Sequence, residues 1–174
     1  MRKLLFIVLS IYLLTGCDNS PIVFGIKLGS NFDDLAKKNL VDEVKLEQSK
    51  KYVVDAKLKR APSPDAGSDA EYHVMRHNGK IFGVYAYVDN VHKSTYDALS
   101  GYAQQMLGEP IATEDKVMNE SAVKETPYKC LIEPDCVKAE YRLYRKGNIN
   151  AAVVKYDKRI AIQFDTDDAK NLFE

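Results

Sequence analysis

The 174-residue chain predicts an α+β domain: one antiparallel-rich sheet with two helices packed on one face, ending in a three-strand meander. Three observations carry this. Asn78-Gly79 stands between the runs Glu71 to Arg76 and Lys80 to Val88, the strongest short-range hairpin signal. Tyr96, Leu99, Ala103, Met106 and Leu107 recur on one helical stripe, which Gly108-Glu109-Pro110 stops. Three runs, Val137 to Tyr144, Ile149 to Tyr156 and Arg159 to Phe164, follow one another across the short turns Lys146-Gly147-Asn148 and Asp157-Lys158.

Taken in order, Pro21 to Leu28 reads as a first short strand. Ser30-Asn31-Phe32-Asp33 has the form of a capping box with Asp for Glu and opens a short helix ending near Asn39. Phe32, Leu35 and Ala36 share a face of it, with Asp33 and Asp34 in the first turn and Lys37 and Lys38 in the last, as the macrodipole favours. Val44 to Leu58 reads as one strand with β-branched Val53-Val54 at its centre. The stretch from Arg60 to Asp69, with Pro62, Pro64 and Asp65, has little to bury and reads as a solvated recognition loop. Lys80 to Val88 is apolar on both faces and belongs at the centre of the sheet, with Phe82, Val84, Ala86 and Val88 on one face and Ile81, Tyr85 and Tyr87 on the other. Ser94-Thr95-Tyr96-Asp97 repeats the earlier Ser-x-x-Asp start, a hint of internal duplication too loose to assert from residues alone. Ile111 to Pro127 shows no clear period, and Asp167 to Phe173 adds a last helical turn.

The first residues have a different purpose. Met1-Arg2-Lys3 is basic and Leu4 to Leu14 is apolar, the layout of a secretory signal, and the run falls short of the roughly 20 residues a transmembrane helix needs. Leu14-Thr15-Gly16-Cys17 then resembles the lipobox of bacterial lipoproteins. The resemblance implies cleavage before Cys17, a diacylglycerol on its thiol and an acylated amino terminus, with residues 1–16 as signal, 17–23 as tether and 24–174 as one periplasmic domain. Several acyl chains hold far better than one, at about 0.8 kcal/mol per buried methylene. Asp18 resembles the enterobacterial signal for retention in the inner membrane, with the outer membrane as the other destination. Asp18 to Val23 span roughly 20 Å when extended.

Cleavage leaves 158 residues, enough for one domain, with 23 basic and 25 acidic side chains, which argues against a nucleic-acid partner. With Cys17 on lipid, Cys130 and Cys136 form an even pair in an oxidising compartment, and Pro134-Asp135 supplies the turn for a disulfide worth about 2 kcal/mol. The competing metal or redox pair lacks a C-x-x-C spacing or a following His pair.

Catalytic patterns were sought and not met. Ser100-Gly101 lies inside the second helix. His73 and His77 lie on a strand and its turn, where their spacing does not converge on a metal, and Gly25 and Gly29 lack the rest of a phosphate loop. The expectation is no enzyme, no cofactor and no metal. Ten tyrosines in the mature chain, with no Trp, point instead to a protein-gripping surface. Tyr72, Tyr85 and Tyr87, together with Pro62, Pro64 and Asp65, are its expected contacts. The resulting reading is an anchored periplasmic binding module, an inhibitor or immunity protein against a toxic envelope enzyme. The alternative is an accessory subunit of an envelope assembly or transport complex, since the Gly-helix-Gly-x-Pro texture resembles the small accessory lipoproteins of barrel assembly. A hydrolase is the third option.

Overall fold

The computed structural model describes residues 20–47, 53–113, 140–156 and 158–168. Cys17, Asp18, Cys130 and Cys136 lie outside them, as do most of Ile111 to Pro127 and the expected last helical turn beyond Asp168. The chain is α+β and mostly antiparallel sheet, with elements in the order β1 (Ile22–Val23), β2 (Ile26–Lys27), α1 (Asp33–Lys37), β3 (Val41–Glu47), β4 (Val53–Leu58), β5 (Glu71–His77), β6 (Lys80–Val88), α2 (Lys93–Leu107), β7 (Ala112–Thr113), β8 (Glu140–Lys146), β9 (Ile149–Lys155) and β10 (Ile160–Thr166). Strands β3 to β10 make one eight-stranded sheet in the order β3-β4-β5-β6-β10-β9-β8-β7. Among the described residues, each helix is followed by four strands that pair in sequence order, and the two sets meet antiparallel at β6 and β10.

The predicted first strand is in fact a tiny hairpin. Phe24 and Gly25 both take positive φ, 51° and 77°, and fold β2 back on β1. Gly25 has no alternative: a Cβ there would stand 2.7 Å from the Pro62 Cβ and 2.9 Å from the Ser63 backbone nitrogen. Val44 to Leu58 likewise divides, into β3 and β4, paired antiparallel with Lys45 opposite Asp55. An isolated polar run of that length carries no inward-facing period that would mark the reversal.

Neither expected Ser-x-x-Asp cap forms. Asn31 Oδ1 accepts the Asp33 N–H at 3.1 Å, and Phe32 occupies the cap position of α1. At α2 the cap is His92, whose N–H donates to Asn90 Oδ1 at 2.9 Å, so Ser94 lies within the helix. The stripe of α2 is as expected: Tyr96, Leu99, Ala103 and Leu107 are buried, and Gly108 at φ 93° ends the helix. Each fully buried leucine on it contributes about 2 kcal/mol of transfer free energy.

Asn78 and Gly79, both at positive φ, make the expected hairpin turn between β5 and β6. Pairing runs from Met75 with Gly83 directly to Arg76 with Ile81, so Phe82 is the extra residue of a bulge. That extra residue reverses the alternation. Ile81 joins Val84 and Ala86 in the main core, contrary to the period-two reading that placed it on the opposite face.

Residues from both helices, from the β1-β2 hairpin and from alternate positions of β4, β5, β6, β9 and β10 form this main core. It includes Phe24, Leu35, Val74, Leu99, Val153 and Phe164. A smaller apolar cluster, Ala112, Tyr141, Leu143, Ala152 and Val154, belongs to the other face of the sheet. No described helix is long and apolar enough to cross a membrane.

Candidate interaction surface

The face opposite the main core is built from cross-strand rows fixed by register. One row runs Lys57, His73, Tyr85, Gln163, Ala152, Leu143; a second runs Glu71, Tyr87, Ala161, Val154, Tyr141. The β4-β5-β6 end of these rows is ionic and aromatic. His73 sets Nδ1 3.0 Å from Asp55 Oδ1 and Nε2 2.7 Å from Glu71 Oε1. The Tyr85 hydroxyl donates to Asp55 Oδ2, and the Lys57 ammonium donates to Glu71 Oε2. The bond from Lys57, then the contact with His73, holds the Glu71 carboxyl down at about 2, and the same bond pushes the Lys57 ammonium up.

Rings complete the assembly. The imidazole of His73 stacks on Tyr85 with centroids 4.7 Å apart and planes 13° from parallel, and Tyr87 stands edge-on to both. The Arg159 guanidinium lies 4.2 Å over the Tyr87 ring, a cation–π contact. Tyr85 is only 1 % exposed, whereas Tyr87 and Lys57 are partly exposed and Glu71 is exposed. Tyr87, Glu71 and Lys57 are thus the reachable groups, and Tyr85 and His73 hold them in place. Toward β9 the face is finished by a polar network around Asp165, which accepts from Gln163 Nε2 at 2.6 Å and from Asn150 Nδ2 at 3.3 Å.

Tyr72 does not belong to this surface. It pairs with Ala86 on the main-core side, is 3 % exposed, and its hydroxyl accepts from the Ala66 N–H at 3.1 Å while donating to the Gly67 carbonyl at 3.0 Å. It is a strut for the Pro62 to Asp69 loop. Burial raises its hydroxyl pKa, as it does those of Tyr102 and Tyr144. The loop is solvated over most of its length, as expected, and is also tied down. Ser63 N–H donates to the Phe24 carbonyl, Ser63 Oγ lies 2.9 Å from both Asp65 carboxylate oxygens, and the Tyr102 hydroxyl accepts from the Phe24 N–H at 3.3 Å. Ala61 and Ala66 are buried beneath it, while Pro62, Pro64 and Asp65 remain exposed. The two halves of the expected grip therefore lie on different sides of the sheet.

The ionic cluster itself was missed by sequence reasoning. His73, considered in the sequence only as half of a metal pair, is 9 % exposed and bound to two carboxylates. The available signal was the alternation Asp55-x-Lys57 and Glu71-x-His73, two charged same-face pairs on strands whose pairing the sequence did not give. His77 is half-buried with Nδ1 unbonded, and among the described residues no three His, Cys, Asp or Glu converge as a metal site.

No known protein family model and no curated protein matches the sequence. Among solved structures, the chain is similar to a cysteine-rich secretory protein from Staphylococcus aureus, at 17 % identity and a TM-score of 0.38. The match covers 81 % of this chain and 45 % of that one, so the similarity spans under half of the solved protein.

Proposed function

We propose that the protein is a membrane-anchored periplasmic lipoprotein that works by binding another protein and not by turnover, most specifically as an inhibitor or immunity protein of an envelope enzyme. In this reading both helices cover one face of the sheet, and the other face meets the partner at its β4-β5-β6 end. The observation that carries it is the Tyr85-His73-Tyr87 stack with its carboxylate and ammonium rim. Rings and charges locked by one another lose little conformational freedom on association, which is what a hot spot requires. Lipid at Cys17 would confine the body near the membrane and raise its effective concentration toward a partner held there.

The test is affinity capture of the tagged full chain from detergent-solubilised membranes, side by side with Tyr87→Ala and Glu71→Lys. A single stoichiometric envelope enzyme, lost from both variants, is expected. Recovery of a many-subunit complex would move the assignment to an assembly accessory. A co-purifying protein retained equally by both variants would remove this face from the binding surface.

A further inference from the structure

At the end of the sheet where the described chain begins, a cleft of about 550 Å³ opens between the β1-β2 hairpin, the last turn of α2, the β8-β9 turn and the end of β10. Its wall includes Pro21, Leu28 and Met106, and its polar groups include the charged Lys146 and Asp168, Thr166, and Ser20 and Asn148 at its rim. The Thr166 hydroxyl is buried with no hydrogen-bond partner, in a residue only 8 % exposed. An unsatisfied buried hydroxyl costs stability unless a ligand or water meets it. The amine of Lys146 is exposed and donates to the Met106 carbonyl at 3.5 Å.

Resting on the lipid-anchored reading above, we infer that this cleft is a phospholipid-headgroup site on which the body sits against its own bilayer. The chain is docked from its first described residues: the Pro21 carbonyl accepts the Leu28 N–H at 3.1 Å, and Ser20 is half-buried beside Gly29. Only Asp18 and Asn19 then separate Cys17 from the folded body, a reach of about 10 Å. A lipid on Cys17 therefore brings this end of the sheet to the membrane. The Pro62 to Asp69 loop leads into the opposite end of β5 and packs on Phe24, at the tip of the β1-β2 hairpin away from Pro21 and Leu28.

The polar groups select the headgroup. A cation and an anion line the same cleft, so a zwitterion such as phosphatidylethanolamine fits better than a purely anionic lipid. Lys146 meets the phosphate, Asp168 the ammonium, and Thr166 donates to an ester or phosphate oxygen. Pro21 and Met106 face the glycerol and upper acyl region.

The full chain is purified in detergent and returned to vesicles of phosphatidylethanolamine and phosphatidylglycerol, with a benzophenone photo-crosslinking residue at either Asn148 or Pro64, both exposed. Position 148 is expected to label phospholipid severalfold more than position 64. Lys146→Glu should lower the position 148 yield severalfold, and Asp168→Lys should shift its product from phosphatidylethanolamine toward phosphatidylglycerol. Equal labelling from the two positions, or labelling indifferent to both charge changes, overturns the site. The intact mass of the same samples separates the two failures. An acylated Cys17 with equal labelling sinks the cleft proposal alone, whereas an unmodified thiol at Cys17 sinks the anchored reading and the cleft proposal with it.

Discussion

His73 is held on both ring nitrogens by carboxylates, and Asp55 and Glu71 are in turn held by the Tyr85 hydroxyl and the Lys57 ammonium. Glu71 makes the cluster sensitive to acid. Its carboxyl is lowered from 4.5 to about 2, so its contribution to stability is complete above about pH 4.5 and is lost as the pH falls through 2. Because the Glu71 side chain is 43 % exposed, solvent screens the pair and the contribution is small. Denaturant midpoints of the native chain and Glu71→Gln, measured across that range, should converge as acid is added. A gap that stayed constant down to pH 2 would mean the pair contributes nothing through its charge. The alternation putting Tyr85 and Tyr87 on one face was legible from period two alone. Their ionic neighbours were not, because Asp55 and His73 meet only through a strand pairing that eighteen residues of separation conceal.

Among the elements, α2 was the most legible, since its stripe and its glycine stop are local properties of the helix. The β4-β5 loop was the least. Proline and small polar residues look solvated in isolation, and what holds them is a distant ring: Tyr102 of α2 stacks on Phe24 at 5.3 Å, and its hydroxyl lies 3.3 Å from the Phe24 nitrogen and 3.5 Å from Asp65. Tyr102→Phe keeps the ring and removes both hydroxyl contacts, leaving the Phe24 N–H unpaired, at a cost of about 1 kcal/mol. The Ser63 bond to the Phe24 carbonyl then loses its brace, and tryptic cleavage after Arg60 should quicken in this variant. Equal cleavage rates would show that the aromatic stack alone holds the loop. The bulge at Phe82 teaches the same point for strands: one unpaired residue reversed the face of Ile81, and no local pattern announced it.

At the level of the whole molecule, two helix-plus-meander halves are joined along a single line, β6 against β10, in register from Ile160 with Val88 to Asp165 with Gly83. The sequence placed β6 at the centre and the last three strands in an antiparallel meander, as observed, but not β10 against β6, because pairing between strands more than seventy residues apart leaves no mark on either. That seam is deeply buried: every residue of β10 is buried, and Val84, Ala86, Ile160, Ile162 and Phe164 are wholly inaccessible. The outermost strands differ, with β7 only two residues long and Val44 of β3 exposed at 49 %. Opening the seam requires exposing apolar area from both halves at once, whereas either edge can fray without disturbing the other half. Native-state hydrogen exchange should therefore find the slowest amides in β6 and β10, exchanging only by global unfolding, and faster ones in β3. Ile162→Ala should cost about 2–4 kcal/mol, a value typical of buried large-to-small changes, and accelerate both halves together. If it accelerated only the β8-β9-β10 half, the halves would be separate cooperative units joined by contact, and the seam would be an interface and not a shared core.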